Sequence, residues 1–218
     1  MNKTKVYVAD TKVLENESVF RELYQTVSLA RQQKIDAFLF EKDKRLCLAA
    51  ELLLRKALLE KGIEQFEISY GTYGKPYINH AGIFFNLSHS GERVLCAVSN
   101  KEVGCDVEQI VDVDIDIAKQ FFCDEEYEQI CTKKKEEQQN LFYRIWTRKE
   151  SYMKATGLGA MLPLNSFCIK LESDTIRVCH ADSLEAYYFK EYHLKDGYQY
   201  TVCSQLASFE EIKVLSLV

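Results

Sequence analysis

The chain has 218 residues, 47% of them hydrophobic, with 28 Lys+Arg against 33 Asp+Glu and a formal net charge of −5. That length suits one large domain or two of about 100 residues and buries a sizeable core, and the composition excludes disordered, collagenous and low-complexity classes. The acidic balance speaks against nucleic acid as a partner, since such binding needs surplus Lys and Arg.

In chain order, residues 5–9 alternate as a strand, and the opening MNKTKVYVAD holds no apolar signal stretch, which predicts a cytoplasmic protein. A helix is expected over 41–61: Leu46, Ala49, Ala50, Leu53, Ala57 and Leu58 recur at three- and four-residue spacing, and Gly62 stops it. Strand-like runs follow at 66–70, 83–87, 94–99 and 103–109. Residues 115–132 read as two helical pieces with Asp124 as an N-cap, and 136–156 as a longer helix ended by Gly157. Strands are then expected at 166–171, 175–179, 185–194, 198–206 and 211–217. Helix followed by strands, once in each half, predicts two α+β units meeting near residues 100–110. Apolar runs such as Leu46 to Ala50 are far shorter than the roughly 18 residues that span a bilayer, so no membrane partner is expected. The eight cysteines are scattered without a CxxC pair, which argues against zinc and predicts buried, reduced thiols acting as small hydrophobes.

Five segments carry residue types suited to chemistry. If Gly104 to Glu108 is a strand, Asp106 and Glu108 project from one face, about 7 Å apart. Two such carboxylates repel unless a cation lies between them, and a hard cation such as Mg²⁺ accepts their oxygens while keeping phosphates as further ligands. A solvated strand edge is the plainer alternative. On the helix beginning Trp146-Thr147-Arg148-Lys149, Glu150 and Lys154 stack one turn apart, as a third carboxylate and a phosphate-holding cation or as an ordinary surface pair. The run Phe85-Asn86-Leu87-Ser88-His89-Ser90-Gly91 offers hydroxyls, main-chain N–H groups and an imidazole to an anion. Neighbouring strand residues point oppositely, so Ser88 and His89 cannot pair there as nucleophile and base. Pro76 stiffens a turn that presents Lys75, and Arg31, Lys34 and Arg45 are cations before and within the long helix; such charges are usually solvated.

Together these segments resemble the 4′-phosphopantetheinyl transferases of the pseudodimeric Sfp type. The family pattern is a G-K-P turn, an F-N-x-S-H-S loop, a G-x-D-x-E strand and a W-x-x-K-E-x-x-x-K helix. Gly74-Lys75-Pro76, Phe85 to Ser90, Gly104 to Glu108 and Trp146 to Lys154 supply all four in that order. The resemblance implies an α+β fold of two similar α/β subdomains related by a pseudo-twofold axis, over 1–104 and 105–218, with the active site in the cleft between them. It implies transfer of the 4′-phosphopantetheine group of coenzyme A to a serine of an apo acyl or peptidyl carrier protein, leaving adenosine 3′,5′-bisphosphate. Asp106, Glu108 and Glu150 would then hold Mg²⁺, with Mn²⁺ as an alternative ion. Lys154, His89, Ser88 and Lys75, with Pro76 in its turn, would grip phosphate oxygens, and Arg31, Lys34 and Arg45 would lie near the 3′-phosphate. Glu150, or a water it orients, would take the serine proton. Segment 111–123, carrying Val113, Ile115, Ile117, Phe121 and Phe122, falls where the family docks carriers, although inward packing would account for the same residues. The pseudodimeric length implies a monomer. Metal-dependent phosphodiester hydrolysis is the rival enzyme class, and would call for a second metal and more ligands.

Overall fold

The computed structural model describes residues 3–172, 175–179 and 186–218. Strand β1 (Lys5–Asp10) opens a four-stranded sheet with β4 (Phe84–Ser90), β5 (Arg93–Ser99) and β11 (Lys213–Val214), in the order β11-β1-β5-β4. A second sheet has the order β6-β10-β9, from β6 (Val103–Gln109), β10 (Tyr198–Ser204) and β9 (Tyr188–Tyr192). The two sheets pack face to face, and each carries a long helix on its outer side: α3 (Glu41–Leu59) on the first and α6 (Lys135–Thr156) on the second.

Strand β5 shows why this arrangement holds. Val94, Cys96 and Val98 face α3, while Leu95 and Ala97 face Val103, Cys105 and Val107 of β6. A strand buried on both faces loses polar alternation and reads as the continuous run Val-Leu-Cys-Ala-Val. Helix α3 is buried more widely than one amphipathic stripe, from Leu46 to Leu54 without a break. The further cover comes from α1 (Glu17–Tyr24) and α2 (Leu29–Asp36), whose Phe20, Leu23 and Ile35 join the same core. Neither short helix is foreseen from periodicity, because α1 buries no residue fully and starts on a local cap, Asn16 accepting the N–H groups of Ser18 and Val19.

The second helical region departs from expectation in detail. A 3₁₀ turn at Ile115–Ile117 leads into α4 (Ala118–Phe121) and α5 (Asp124–Cys131), and Cys123 rather than Asp124 is the N-cap of α5. Gly157 ends α6 with φ 72°, a left-handed conformation that glycine adopts freely. Two small hairpins complete the chain: β2 (Ile68–Tyr70) with β3 (Pro76–Ile78), and β7 (Cys168–Glu172) with β8 (Thr175–Cys179). Of the strand expected at 185–194, residue 185 lies outside the described residues, and the run at 211–217 yields only the two residues of β11. No helix among the described residues is long and apolar enough to cross a membrane.

The cysteine expectation needs correction. Cys47, Cys96, Cys105 and Cys203 are buried free thiols and Cys131 is exposed, but Cys123 and Cys168 form a disulfide, with Cα atoms 5.8 Å apart. Residues 45 positions apart become neighbours because β7 folds back beside the start of α5, a proximity that spacing along the chain does not reveal.

Candidate active site

Gly104 sets the approach of α6 to β6. A Cβ built on it would stand 2.0 Å from the Ser151 carbonyl oxygen and 2.3 Å from the Ala155 nitrogen, so the helix backbone rests directly on the strand. Period-two alternation then puts Asp106 and Glu108 on the same face as Gly104. Glu150 and Lys154, one turn apart on α6, come into electrostatic reach of both acids. The Lys154 ammonium lies 2.6 Å from Asp106 Oδ1.

Strand β4 holds this face from the other sheet. It forms no backbone ladder with β6, yet three alternate side chains bridge to it. Asn86 Oδ1 accepts the Cys105 N–H at 2.9 Å. Ser88 Oγ donates to Asp106 Oδ1 at 2.8 Å and accepts from Lys154 at 3.1 Å, and Ser90 Oγ donates to Glu108 Oε2 at 2.7 Å. The N-x-S-x-S alternation is thus a set of side-chain rungs that orient the two carboxylates. Asn86 and Ser90 each stand two residues from Ser88, a period-two spacing that marks them as sharing its face.

Charge in the site is unbalanced toward negative. Burial pushes the Glu108 carboxyl above its usual range, with the Asp106 charge adding to it, while Ser90, Lys154 and the Trp146 indole pull the other way. Glu150 is likewise raised, first by burial, then by Asp106 and Glu108 against the opposing pull of Lys154. Desolvation lowers Lys154, but the charge and hydrogen bond of Asp106, with the charges of Cys105 and Glu150, together raise it. Asp106 is only 2% exposed, and its Oδ2 is buried with no hydrogen-bond partner. An orphaned carboxylate oxygen beside two carboxyls with raised proton affinity is a donor set that fits a hard divalent cation. Among the described residues, no three His, Cys, Asp or Glu side chains, these acids included, are placed so that together they could hold a metal ion.

The other expected residues divide between two places. Lys75, Pro76 and Lys154 line one cavity of about 220 Å³ with Asn86 and Met153. Lys75 does not offer a free ammonium there: its Nζ donates to Glu102 at 2.5 Å and to the Ala155 carbonyl at 2.7 Å, tying the β2–β3 turn to the end of α6. His89 is an exposed residue of β4, its pKa lowered by desolvation and then by Lys154, with Asp43 of α3 and Asp106 opposing. Arg31 and Lys34 line a different cavity, of about 420 Å³. Arg31 is paired with Glu51 at 2.8 Å and Lys34 meets the Tyr70 hydroxyl at 3.2 Å, while Arg45 stands half-buried on the first turns of α3. In segment 111–123, Phe122 is buried and Val113, Ile115 and Phe121 pack beside it, leaving Val111 and Ile117 exposed.

One residue of the helical motif has a role that its spacing did not suggest. Lys149 is fully buried, paired with Glu126 Oε2 at 2.8 Å, and donates to the carbonyls of Leu164 and Phe167. It anchors the helix on the side opposite the acids.

Comparison with known proteins matches these elements to a family. The description "4'-phosphopantetheinyl transferase superfamily" fits residues 102–203, and "4'-phosphopantetheinyl transferase, N-terminal" fits residues 15–101. The 4'-phosphopantetheinyl transferase gsp of Aneurinibacillus migulanus is 37% identical over 202 residues, covering 91% of this chain and 85% of that protein. The chain belongs to the 4′-phosphopantetheinyl transferase superfamily. It is an enzyme of that class, a phosphopantetheinyl transferase. The 4'-phosphopantetheinyl transferase Sfp of Bacillus subtilis (strain 168) is 34% identical over 190 residues, 85% of each chain. A solved holo-[acyl-carrier-protein] synthase from Thermotoga maritima overlaps 47% of this chain and 61% of its own, at TM-score 0.41 and 19% identity, too slight a likeness to bear on the site. The Lys75 turn and β4 lie in the matched range 15–101, β6 and α6 in the range 102–203.

Proposed function

We propose that this transferase moves the 4′-phosphopantetheine group of coenzyme A to a serine of an apo acyl or peptidyl carrier protein, as a cytoplasmic monomer that requires Mg²⁺. Its site would lie between units over 1–104 and 105–218, with holo-carrier and adenosine 3′,5′-bisphosphate as products. The observation that carries the reading is the orphaned Asp106 Oδ2 amid the raised carboxyls of Glu108 and Glu150. Those three would hold the ion, which supplies positive charge against the pyrophosphate as negative charge grows on the leaving group. Lys154 is held toward Asp106 by Ser88, and turns one ammonium toward phosphate oxygens. Glu150, whose proton affinity burial has raised, accepts the proton of the carrier serine as its oxygen attacks the β-phosphorus. His89, whose pKa desolvation and Lys154 lower, would donate a hydrogen bond to the coenzyme's phosphates. Lys75 and Pro76 shape the wall of the cavity; Arg31, Lys34 and Arg45 are assigned to the 3′-phosphate on the family pattern alone.

Incubation with coenzyme A, Mg²⁺ and a panel of apo-carriers, read by intact mass, tests the reaction. The expected result is one phosphopantetheinyl group on a serine. Free phosphopantetheine released without any carrier would instead favour hydrolysis. Glu150→Gln is expected to lower kcat by roughly 10²-fold or more, the scale of a lost general base. Full turnover by that variant, still dependent on Mg²⁺, would remove Glu150 as base.

A further inference from the structure

We propose that Cys123 and Cys168 form a reversible redox site, reduced by a dithiol, whose state sets the seating of Trp146 beside Glu108; the effect on rate rests on the transferase reading above. The two cysteines flank one buried cation. Cys123 follows Phe122 and Cys168 follows Phe167, and both rings lie over the Lys149 ammonium, at 5.9 and 4.4 Å from their centroids. The same segments are joined a second time by Glu126, which accepts the N–H of Cys123 at 3.1 Å and of Ile169 at 2.7 Å while pairing with Lys149. Breaking the S–S bond therefore leaves the two sulfurs held near each other and ready to re-form it.

The bond is also reachable. Cys123 is half-buried, whereas Cys168 is only 8% exposed. An outside thiolate attacks the Cys123 sulfur, the S–S bond breaks, and Cys168 leaves as a thiolate that takes a proton from solvent. The reductant's second thiol then attacks its own sulfur in the mixed disulfide and releases Cys123. Two electrons and two protons pass to the protein, and the dithiol becomes a disulfide. Cys123 caps the N-terminus of the eight-residue α5, a position that stabilises its thiolate as the last leaving group. Five other described cysteines remain free thiols, so this pair stands apart from the stapled framework of a small secreted domain; paired cysteines in a reduced compartment are typically redox-responsive.

The coupling to the site runs through aromatic contacts. Phe122 and Phe121 pack on Trp146 with centroids 6.2 and 5.4 Å away, and the Trp146 indole is one of the groups acting on Glu108. Trp146 is the chain's single tryptophan, so its fluorescence reports that seating directly.

The test is a titration of the full chain in dithiothreitol buffers of stepped potential, on a Cys131→Ser background that removes the exposed thiol. Alkylation of Cys123 and Cys168 is followed by mass, alongside Trp146 emission and the rate of carrier modification. Labelling, emission and rate are expected to change with one midpoint, the reduced form being slower by roughly fivefold, the low end of coupling between linked sites. The C123S/C168S variant is expected to show flat emission and rate throughout. Labelling that passes through its midpoint while emission and rate stay flat would make the bond structural and overturn the proposal. A pair that never oxidises, or never reduces in the native chain, would overturn it too. Labelling and emission need no coenzyme A, so they still decide the redox site if no transfer is observed.

Discussion

Glu108 and Glu150 are crowded acids whose ionisation the fold opposes, and this has a measurable sign. A Glu with a pKa above its usual value of about 4.3 binds more protons folded than unfolded between the two values, so the slope of unfolding free energy with pH is negative there. Glu108 and Glu150 therefore contribute least on the alkaline side of that window and most on the acid side. Subtracting the Glu150→Gln stability curve from the wild type, by urea unfolding across pH 4 to 8, is expected to leave a difference that favours the variant as pH rises. A flat difference would show that the fold does not oppose ionisation of Glu150, through burial or through the neighbouring acids. Mg²⁺ added to chelator-treated wild type at pH 8 is expected to raise Tm, and Asp106→Asn to lose most of that rise, because it removes both the central charge and the orphaned oxygen.

At the level of elements, the contact of α6 with β6 decides whether those acids share a site at all. Gly104→Ala puts a methyl group into the backbone around Ser151 and Ala155, within the turn that carries Glu150 and Lys154. The helix has to move. Overpacking of this kind costs about 1–3 kcal/mol of stability, but a displacement of about 1 Å at the chemistry costs about 10²-fold in rate. Gly62→Ala is the control: Gly62 has φ +76° and open space around its Cβ position, so that variant is strained yet remote. It is expected to lose about 1–2 kcal/mol with kcat unchanged, whereas Gly104→Ala loses both. Equal kcat in the two variants would break the link between Gly104 and the site. The main helices and most strands are legible in local spacing, since α3 and α6 repeat at about 3.6 residues, β4 and β6 alternate, and β5 is one continuous apolar run. Pairings across the fold are not. Nothing near Lys75 in the chain announces Glu102 or the Ala155 carbonyl, nothing near Arg31 announces Glu51, and Ser88 reads as a phosphate donor until Asp106 appears beside it.

Across the whole molecule, the two sheets are joined by more than the apolar surface between them. Thr4 Oγ1 meets the hydroxyls of Ser99 and Ser204 at 3.1 and 3.0 Å, linking the start of the chain to the ends of β5 and β10. Arg93 pairs with Asp10 of β1 and with Asp196 just before β10. The chain's last segment then returns to the first sheet: β11 runs parallel to β1, Leu215 N–H donates to the Val8 carbonyl at 2.9 Å, and Leu217 is buried against the α3 core. A split at residue 104 would therefore cut a chain whose final strand completes the sheet of its beginning. Removing residues 212–218 takes away Leu217 and the half-buried Ile212 and Leu215, a loss of about 4 kcal/mol at 1.5–3 kcal/mol for each fully buried side chain. Tm is expected to fall by about 8–16 °C, with unfolding still a single calorimetric transition in both proteins. If the truncated protein instead melts in two steps, with the upper one at the wild-type temperature, the β6-β10-β9 sheet and α6 stand without the first sheet, and the bridging contacts at Thr4 and Arg93 do not bind the halves into one cooperative unit.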